Sequence, residues 1–171
     1  MTGDAIVVSR LEEIRKTLKD GIGGKTKTVS QTPTVTAGAY SAEEAVGGKL
    51  TFDIIDAQTG TGIVHTLVIT DLAKQSVAME LWLFDRNFTA TADNAAFDVA
   101  DADLPNVLGV IPIATTDWFA SADSSVACVR NIGLVGTAID GHNIFGQLKA
   151  VGTPTYSATS DLTVKLTVLQ D

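Results

Sequence analysis

Residues 160–171 read SDLTVKLTVLQD and alternate apolar with polar side chains. Successive side chains of a β-strand point to opposite faces, so strict alternation indicates a strand with one buried face. The polar face of Thr163, Lys165 and Thr167 is expected to meet water or a neighbouring subunit. The face expected to close a hydrophobic core consists of Leu162, Val164, Leu166 and Val168.

The same two-residue period continues through most of the chain before this strand. Turn sequences such as VGGK, AQTGTG and IDGHN separate the periodic runs, and no sustained helical pattern lies between them. Only DNAAFDVADADLPN, residues 93–106, reads as a long excursion. The pattern therefore predicts an all-β fold, an antiparallel β-sandwich or jelly roll of about eight strands. The predicted strands are residues 33–40, 49–55, 62–70, 78–85, 107–114, 125–135, 143–151 and 162–169.

The N-terminal segment instead has the features of a short α-helical arm. Ser9 followed by Glu12 fits a capping box, and Gly21 supplies a stop after RLEEIRKTLK. We therefore divide the chain into a helical arm with a linker, residues 1–31, and a β-sandwich domain, residues 32–171. The helix carries an apolar stripe at heptad spacing, made of Val7, Leu11, Ile14 and Leu18.

A helix of this length is marginal in water by itself. Its apolar stripe must therefore pack against something. One alternative is the body of its own domain, and the other is a copy of itself or a docking partner. The sequence leaves both open.

Length and composition limit the class of protein. A chain of 171 residues suits one domain, and its single cysteine, Cys128, cannot form an internal disulfide and is expected to be a small core residue. No apolar run approaches the roughly 18 to 20 residues of a membrane helix. Asp4 and the short apolar patch after it do not fit a secretory signal, so we expect no export by that route.

Charge is distributed unevenly along the chain. Residues 1–30 hold six Lys and Arg against four Asp and Glu, whereas residues 31–171 hold six against sixteen. An acidic body repels phosphate backbones, which argues against nucleic-acid binding. The arm is the part expected to face a partner.

No catalytic motif is complete. GIGGKT at residues 21–26 resembles a phosphate-binding loop, but Lys19 stands where the motif requires its first glycine. The chain has no GxSxG nucleophile motif and no HExxH zinc motif. We therefore predict that the protein is not an enzyme and uses no cofactor or metal.

The two histidines are interpreted as structural. His65 alternates in phase with Ile63, Leu67 and Ile69, so it is expected on the same face of its strand. His142 occupies a predicted turn.

Acidic residues cluster in and before the long excursion. Caps of loops and turns are the favoured interpretation. A structural cation and a carboxylate pair for glycoside hydrolysis remain alternatives, but neither pattern is complete. The cluster consists of Asp85, Asp93, Asp98, Asp101 and Asp103.

Two tryptophans receive different interpretations. Trp82 lies in the most apolar predicted strand and is expected in the core. Trp118, beside Phe119 in a less regular stretch, is the better candidate for an interface.

Two blocks of the sequence resemble a family of small virion proteins of tailed bacteriophages. They are LWLFDRNFTATADNAAFDVADADLPNVLGVIPIATTDW and IFGQLKAVGTPTYSATSDLTVKLTVLQD. The resemblance runs from about Thr34 to the C-terminus and leaves out the arm. It implies a β-rich decoration or cement protein of the outer capsid shell, commonly a trimer, with no catalytic residues.

Residues and resemblance together predict a cement protein that binds the major capsid protein at junctions between capsomers, as a homotrimer, without binding nucleic acid or membrane. It would be assembled in the host cytoplasm and reside on the virion surface. A head-fibre, tail or baseplate component with a trimeric stalk is one alternative, and a carbohydrate-binding β-sandwich is another. The predicted interface residues are Val7, Leu11, Ile14, Leu18, Trp118 and Phe119.

Overall fold

The computed structural model describes residues 8–13, 25–55 and 60–170. Residues 8–13 are helical, and two single-turn 3-10 helices span Leu104–Asn106 and Thr115–Asp117. The remaining regular structure is strand, as the alternating sequence predicts. The strands are β1 (Lys25–Gln31), β2 (Ala45–Asp53), β3 (Thr61–Asp71), β4 (Met79–Phe84), β5 (Val107–Ile113), β6 (Trp118–Ala120), β7 (Ser125–Thr137), β8 (Asn143–Ala150) and β9 (Leu162–Gln170).

The strands form two antiparallel sheets, which confirms the predicted all-β sandwich. One sheet has five strands in the order β1-β9-β3-β7-β6, and the other has four in the order β2-β8-β4-β5. β1 pairs with β9, β2 with β8, β3 with β7 and β4 with β5. These nested pairs correspond to one long hairpin rolled across two sheets, which is the jelly-roll arrangement.

β9 has the orientation that its sequence predicts. Its four alternating apolar residues are fully buried between the sheets, and Lys165 on the opposite face is exposed. β9 lies between β1 and β3, so its main chain is paired on both sides. Facing it across the core are side chains of the four-stranded sheet such as Phe52, Leu81 and Leu148.

The N-terminal boundary of the β domain differs from the prediction. Residues 25–31, assigned to the linker, form β1 and pair with β9 along its length. Their lysines and threonines obscured the strand because β1 is an edge strand with only Val29 as an apolar residue packed on the core.

The strand predicted at residues 33–40 is absent. The segment forms a loop whose main chain bonds to other loops rather than to a sheet. The Val35 amide donates to the Thr159 carbonyl, and the Tyr40 amide donates to the Pro154 carbonyl.

A bulge in β3 changes which side chains face the core. Val64 and Thr66 pair with adjacent residues of β9, so His65 between them is an extra residue. Val64 and Leu67 are both buried, whereas Ile63 is exposed. The expectation that His65 shares a face with both Ile63 and Leu67 is therefore wrong.

The two sheets meet along the edge where β5 approaches β7. The Leu134 side chain covers Gly109, and the Leu108 side chain covers Gly136. A Cβ at either glycine would lie under 3 Å from a leucine methyl group. This reciprocal packing of leucine on glycine holds one side of the sandwich closed.

Candidate functional site

The described part of the arm presents apolar side chains to solvent. Within helical residues 8–13, Val8 is 56% exposed and Leu11 is 59% exposed. The other members of the predicted stripe, Val7, Ile14 and Leu18, lie outside the described residues.

β6 turns its two aromatic side chains to opposite sides of the sheet. Trp118 is half-buried against the core, and its indole Nε1 donates to the Val77 carbonyl at 2.9 Å. Phe119 pairs with Val126 on the outer face and is 65% exposed. Of this predicted interface pair, Phe119 is therefore the one whose ring is available to a partner.

The outer face of the five-stranded sheet, which we call the open face, continues from Phe119 across all five strands. It consists of the side chains that alternate with the buried ones in β1, β9, β3, β7 and β6. At its far end Val135, Ile63 and Leu169 form an exposed apolar row across three paired strands. Threonine hydroxyls lie between, and Thr28 Oγ1 and Thr167 Oγ1 are hydrogen bonded at 2.9 Å.

Cys128 also lies on the open face. It pairs with Val68 and is half-buried, so the prediction of a core position is wrong. Arg130, two residues along β7, donates from Nε to the Cys128 Sγ at 3.3 Å.

The outer face of the four-stranded sheet is covered by the chain itself. The covering residues are 85–106, between β4 and β5, and we call them the cover segment. Phe88 of this segment stacks on Phe84 with ring centroids 3.8 Å apart, and Phe97 packs on Trp82 at 5.3 Å. Trp82 thus belongs to this second apolar cluster rather than to the core between the sheets.

Gln147 attaches the cover segment to the sheet. Its side chain is fully buried and extends from β8 towards Thr91 of the cover segment. Oε1 accepts from the Thr91 amide at 3.0 Å, and Nε2 donates to the carbonyls of Thr91 and Gly47. Nothing in the alternating pattern of β8 distinguishes this outward glutamine from a solvated one.

Asp93 attaches the cover segment to Gly47 of β2 and to the loop between β1 and β2. Its carboxylate accepts hydrogen bonds from the Gly47 amide and from the hydroxyls of Thr36 and Tyr40. Burial of Tyr40 and its hydrogen bond to Asp93 raise the pKa of that phenol. Asp103 likewise accepts from the Thr89 amide. These two members of the acidic cluster act as the loop caps that the sequence favours.

A second polar group lies buried at one end of the sandwich. Asp71 accepts from the amides of Ala73, Gln75 and Ser76, and Asp161 accepts from the amides of Ser157 and Ala158. Burial raises the pKa of Asp71 despite its hydrogen bonds. Burial acts in the same direction on Asp161, but its hydrogen bonds outweigh it and lower the pKa. Both carboxylates therefore hold loops in place.

The groups that could carry catalysis or bind a metal are dispersed. His65 Nδ1 lies 2.8 Å from Thr66 Oγ1, and His142 Nδ1 lies 2.8 Å from the Ile55 carbonyl. Within the described residues, no three His, Cys, Asp or Glu side chains are grouped so that they could hold a metal ion. In the same part of the chain, no helix has the length and hydropathy needed to cross a bilayer.

Comparison with known proteins adds no relative. A scan against models of protein families finds no match, and a search of curated proteins finds no similar chain. The candidate site is therefore defined by the geometry above: an open face on one sheet, a covered face on the other, and an arm with exposed apolar side chains.

Proposed function

We propose that this protein is a structural component of a tailed bacteriophage, a decoration or cement protein that binds the outer surface of the capsid shell and stabilises it. Its partner is the major capsid protein, and it acts as a homotrimer on the virion surface without chemistry of its own. The proposal is supported by the resemblance of residues 34–171 to small virion proteins and by the two-sided structure of the sandwich.

The observation that carries the proposal is the difference between the two outer sheet faces. The cover segment buries Phe84 and Phe145 on the four-stranded sheet and packs on half-buried Trp82. On the outer face of the five-stranded sheet, by contrast, Phe119 and Val135 are more than 60% exposed. Exposed apolar groups on one side of a compact domain are typical of a module that lies on a larger surface.

If each protein makes several contacts with one particle, each contact can be of ordinary size and the protein still binds stably. A standard protein interface buries about 800 Å² per partner, and several such contacts on one particle reinforce one another. The exposed Val8 and Leu11 support a second attachment through the arm. The open face and the arm together would then form a clamp.

The jelly roll by itself supports more than one function. Viral capsid proteins and lectins both use this arrangement, so the site must decide between them. A carbohydrate site in the acidic region has less support, because the carboxylates of Asp93 and Asp103 are occupied by donors from their own chain.

Labelled antibodies against the protein, viewed on intact virions by electron microscopy, test its position. We expect label over the whole shell. Label confined to the tail or to fibres would favour those alternatives, and unlabelled particles would reject a virion role.

Adding purified protein to particles that lack it tests the stabilising role and the arm. We expect the full chain to bind and raise the temperature at which the particles release DNA. A variant lacking residues 1–24 should bind more weakly while remaining folded. Equal binding by both would remove the arm from the proposal but leave the decoration role intact.

A further inference from the structure

The five-stranded sheet differs in charge from the rest of the molecule. The whole chain has a net charge of −8, yet the only carboxylate in β1, β9, β3, β7 and β6 is Asp71. Asp71 is buried and bonded to three amides of the adjacent loop. Among the residues that the structure describes, the open face therefore carries no carboxylate, although the protein is strongly acidic.

Two cations lie near the middle of this face. Lys165 of β9 pairs with Val68, and Arg130 of β7 pairs with Thr66, so the two side chains flank β3 from opposite sides. Strand spacings of about 4.8 Å and a rise of about 3.3 Å per residue put their Cα atoms roughly 12 Å apart. Neither has an ion-pair partner among the described residues, and both are exposed.

Apolar groups lie at both ends of the face. Phe119 marks one end, and the row of Val135, Ile63 and Leu169 marks the other. Five strands at about 4.8 Å and about seven residues of β3 give a flat area on the order of 500 Å². That is a large part of the roughly 800 Å² that one partner contributes to a standard interface.

We propose that the open face is the docking face and that its occupant is a protein surface presenting carboxylates opposite Arg130 and Lys165, between apolar contacts at the two ends. The inference rests on the proposed function, in which that surface belongs to the shell. Complementary charge sets orientation and partner choice. An acidic partner meets two cations here, whereas carboxylates elsewhere on the molecule repel it.

A second copy of this chain is a weaker occupant for the same face. Two open faces placed against each other would bring four cations together with no carboxylate between them. Nucleic acid also fits poorly, because two cations on a chain of net charge −8 cannot provide the many phosphate contacts that binding requires.

Charge reversal on the open face tests the proposal. Shell particles that lack the protein are mixed with wild type, with the double variant Arg130→Glu/Lys165→Glu, or with Arg86→Glu, and bound protein is measured by co-sedimentation at 50 and 300 mM NaCl. Arg86 is the matched control, because it is exposed at the covered sheet and its one ion-pair partner among the described residues is its neighbour Asp85. Circular dichroism and thermal melting confirm that each variant is folded.

We expect the double variant to bind at least 10-fold more weakly at low salt and to lose most of its salt dependence. The Arg86→Glu variant should stay within about 2-fold of wild type. The variant Arg130→Lys/Lys165→Arg keeps both positive charges and should bind as wild type does. Double-variant binding equal to wild type would overturn the docking face while leaving the decoration role standing.

Two other outcomes also decide the matter. Wild type that fails to bind particles would reject the proposed function, and this inference with it. Wild type that forms dimers in solution, dispersed by the double reversal, would show that the occupant is a second copy. A Phe119→Ala variant separates the apolar contribution. We expect it to bind more weakly, with no change for Leu72→Ala, since Leu72 is also more than half exposed but lies in the loop after β3.

Discussion

Gly47 is the residue at which backbone conformation and packing both exclude a side chain. It lies in the β2 bulge with φ of 69°, and a Cβ there would lie 2.6 Å from the Pro33 Cβ. Left-handed backbone costs other residues about 1–2 kcal/mol. Contact with a proline ring adds to this because the ring cannot rotate away. The Gly47 amide also donates to Asp93, so a shift here would loosen the cover segment.

We expect Gly47→Ala to lower the free energy of unfolding by at least about 2 kcal/mol. Gly48→Ala is the control, because a Cβ at Gly48 meets nothing within 4 Å and its φ is not positive. That variant should change stability by less than about 0.5 kcal/mol. Denaturation in urea measures both, and equal effects would contradict the packing described for Gly47.

The buried carboxylates predict opposite responses to acid. The pKa of Asp161 is lower in the folded protein than in the unfolded chain, so the unfolded chain binds the proton first as pH falls. The stabilisation that ionised Asp161 contributes is present at pH values above the ordinary carboxyl pKa near 4 and is lost as the pH falls below it. Asp161→Asn should therefore flatten the loss of unfolding free energy between pH 5 and pH 3, measured by denaturant titration at each pH.

Asp71 should behave in the reverse way. Its pKa is raised, so the folded protein binds the proton first as pH falls, and this group favours the folded state more at low pH. The variant Asp71→Asn, which keeps an oxygen for the loop amides, should make the acid loss of stability steeper than in wild type. An identical pH slope in the Asp71→Asn and Asp161→Asn proteins would refute this assignment.

At the scale of elements, Gln147 determines whether the cover segment stays in place. Its fully buried side chain makes three hydrogen bonds to main-chain groups of Thr91 and Gly47. Buried donors and acceptors left without partners cost about 1–3 kcal/mol each. Gln147→Ala should lower the free energy of unfolding by at least about 2 kcal/mol and expose residues 85–106 to proteolysis.

Thr51→Ala is the control for Gln147, since Thr51 is exposed on neighbouring β2. Cleavage sites read by mass spectrometry should map to the cover segment in the Gln147 variant and be absent in the control. Protection of residues 85–106 equal to wild type in the Gln147 variant would show that the aromatic cluster alone holds the segment.

Some elements could be predicted from the sequence because their chemistry is local. β9 has one buried face and alternates strictly, so its pattern reports its position. β1 has only one apolar residue packed on the core, and its lysines resemble a linker. In β3 the extra residue His65 reverses the side-chain phase, and that bulge depends on pairing with two other strands, which no local pattern encodes.

For the molecule as a whole, one part of the candidate site could be predicted from the sequence and another could not. Phe119 could be singled out from its sequence because it is a large apolar residue beside an irregular stretch. The open face as a surface could not, because it is assembled from five strands that are distant in the chain. That its five strands bring no exposed carboxylate to it becomes visible only when the strand order places those five sequences side by side.

Deleting N-terminal residues tests where the arm ends and the folded β domain begins. Residues 8–13 expose their apolar side chains, whereas β1 pairs with β9 and packs Val29 on the core. Removal of residues 1–24 should leave the free energy of unfolding within about 0.5 kcal/mol of the full chain. Removal of residues 1–31 should lower it by about 2 kcal/mol, because Val29 is lost and β9 becomes an edge strand.

For a domain of this size, a loss of about 2 kcal/mol lowers the melting temperature by roughly 4–8 °C. The exposed edge of β9 should also promote association, visible by gel filtration at raised concentration. An equal loss of stability in both deletions would mean that the arm packs on its own domain, which would favour the first of the two alternatives for its apolar stripe. Retention of full stability without β1 would mean that the sandwich is complete without its outermost strand.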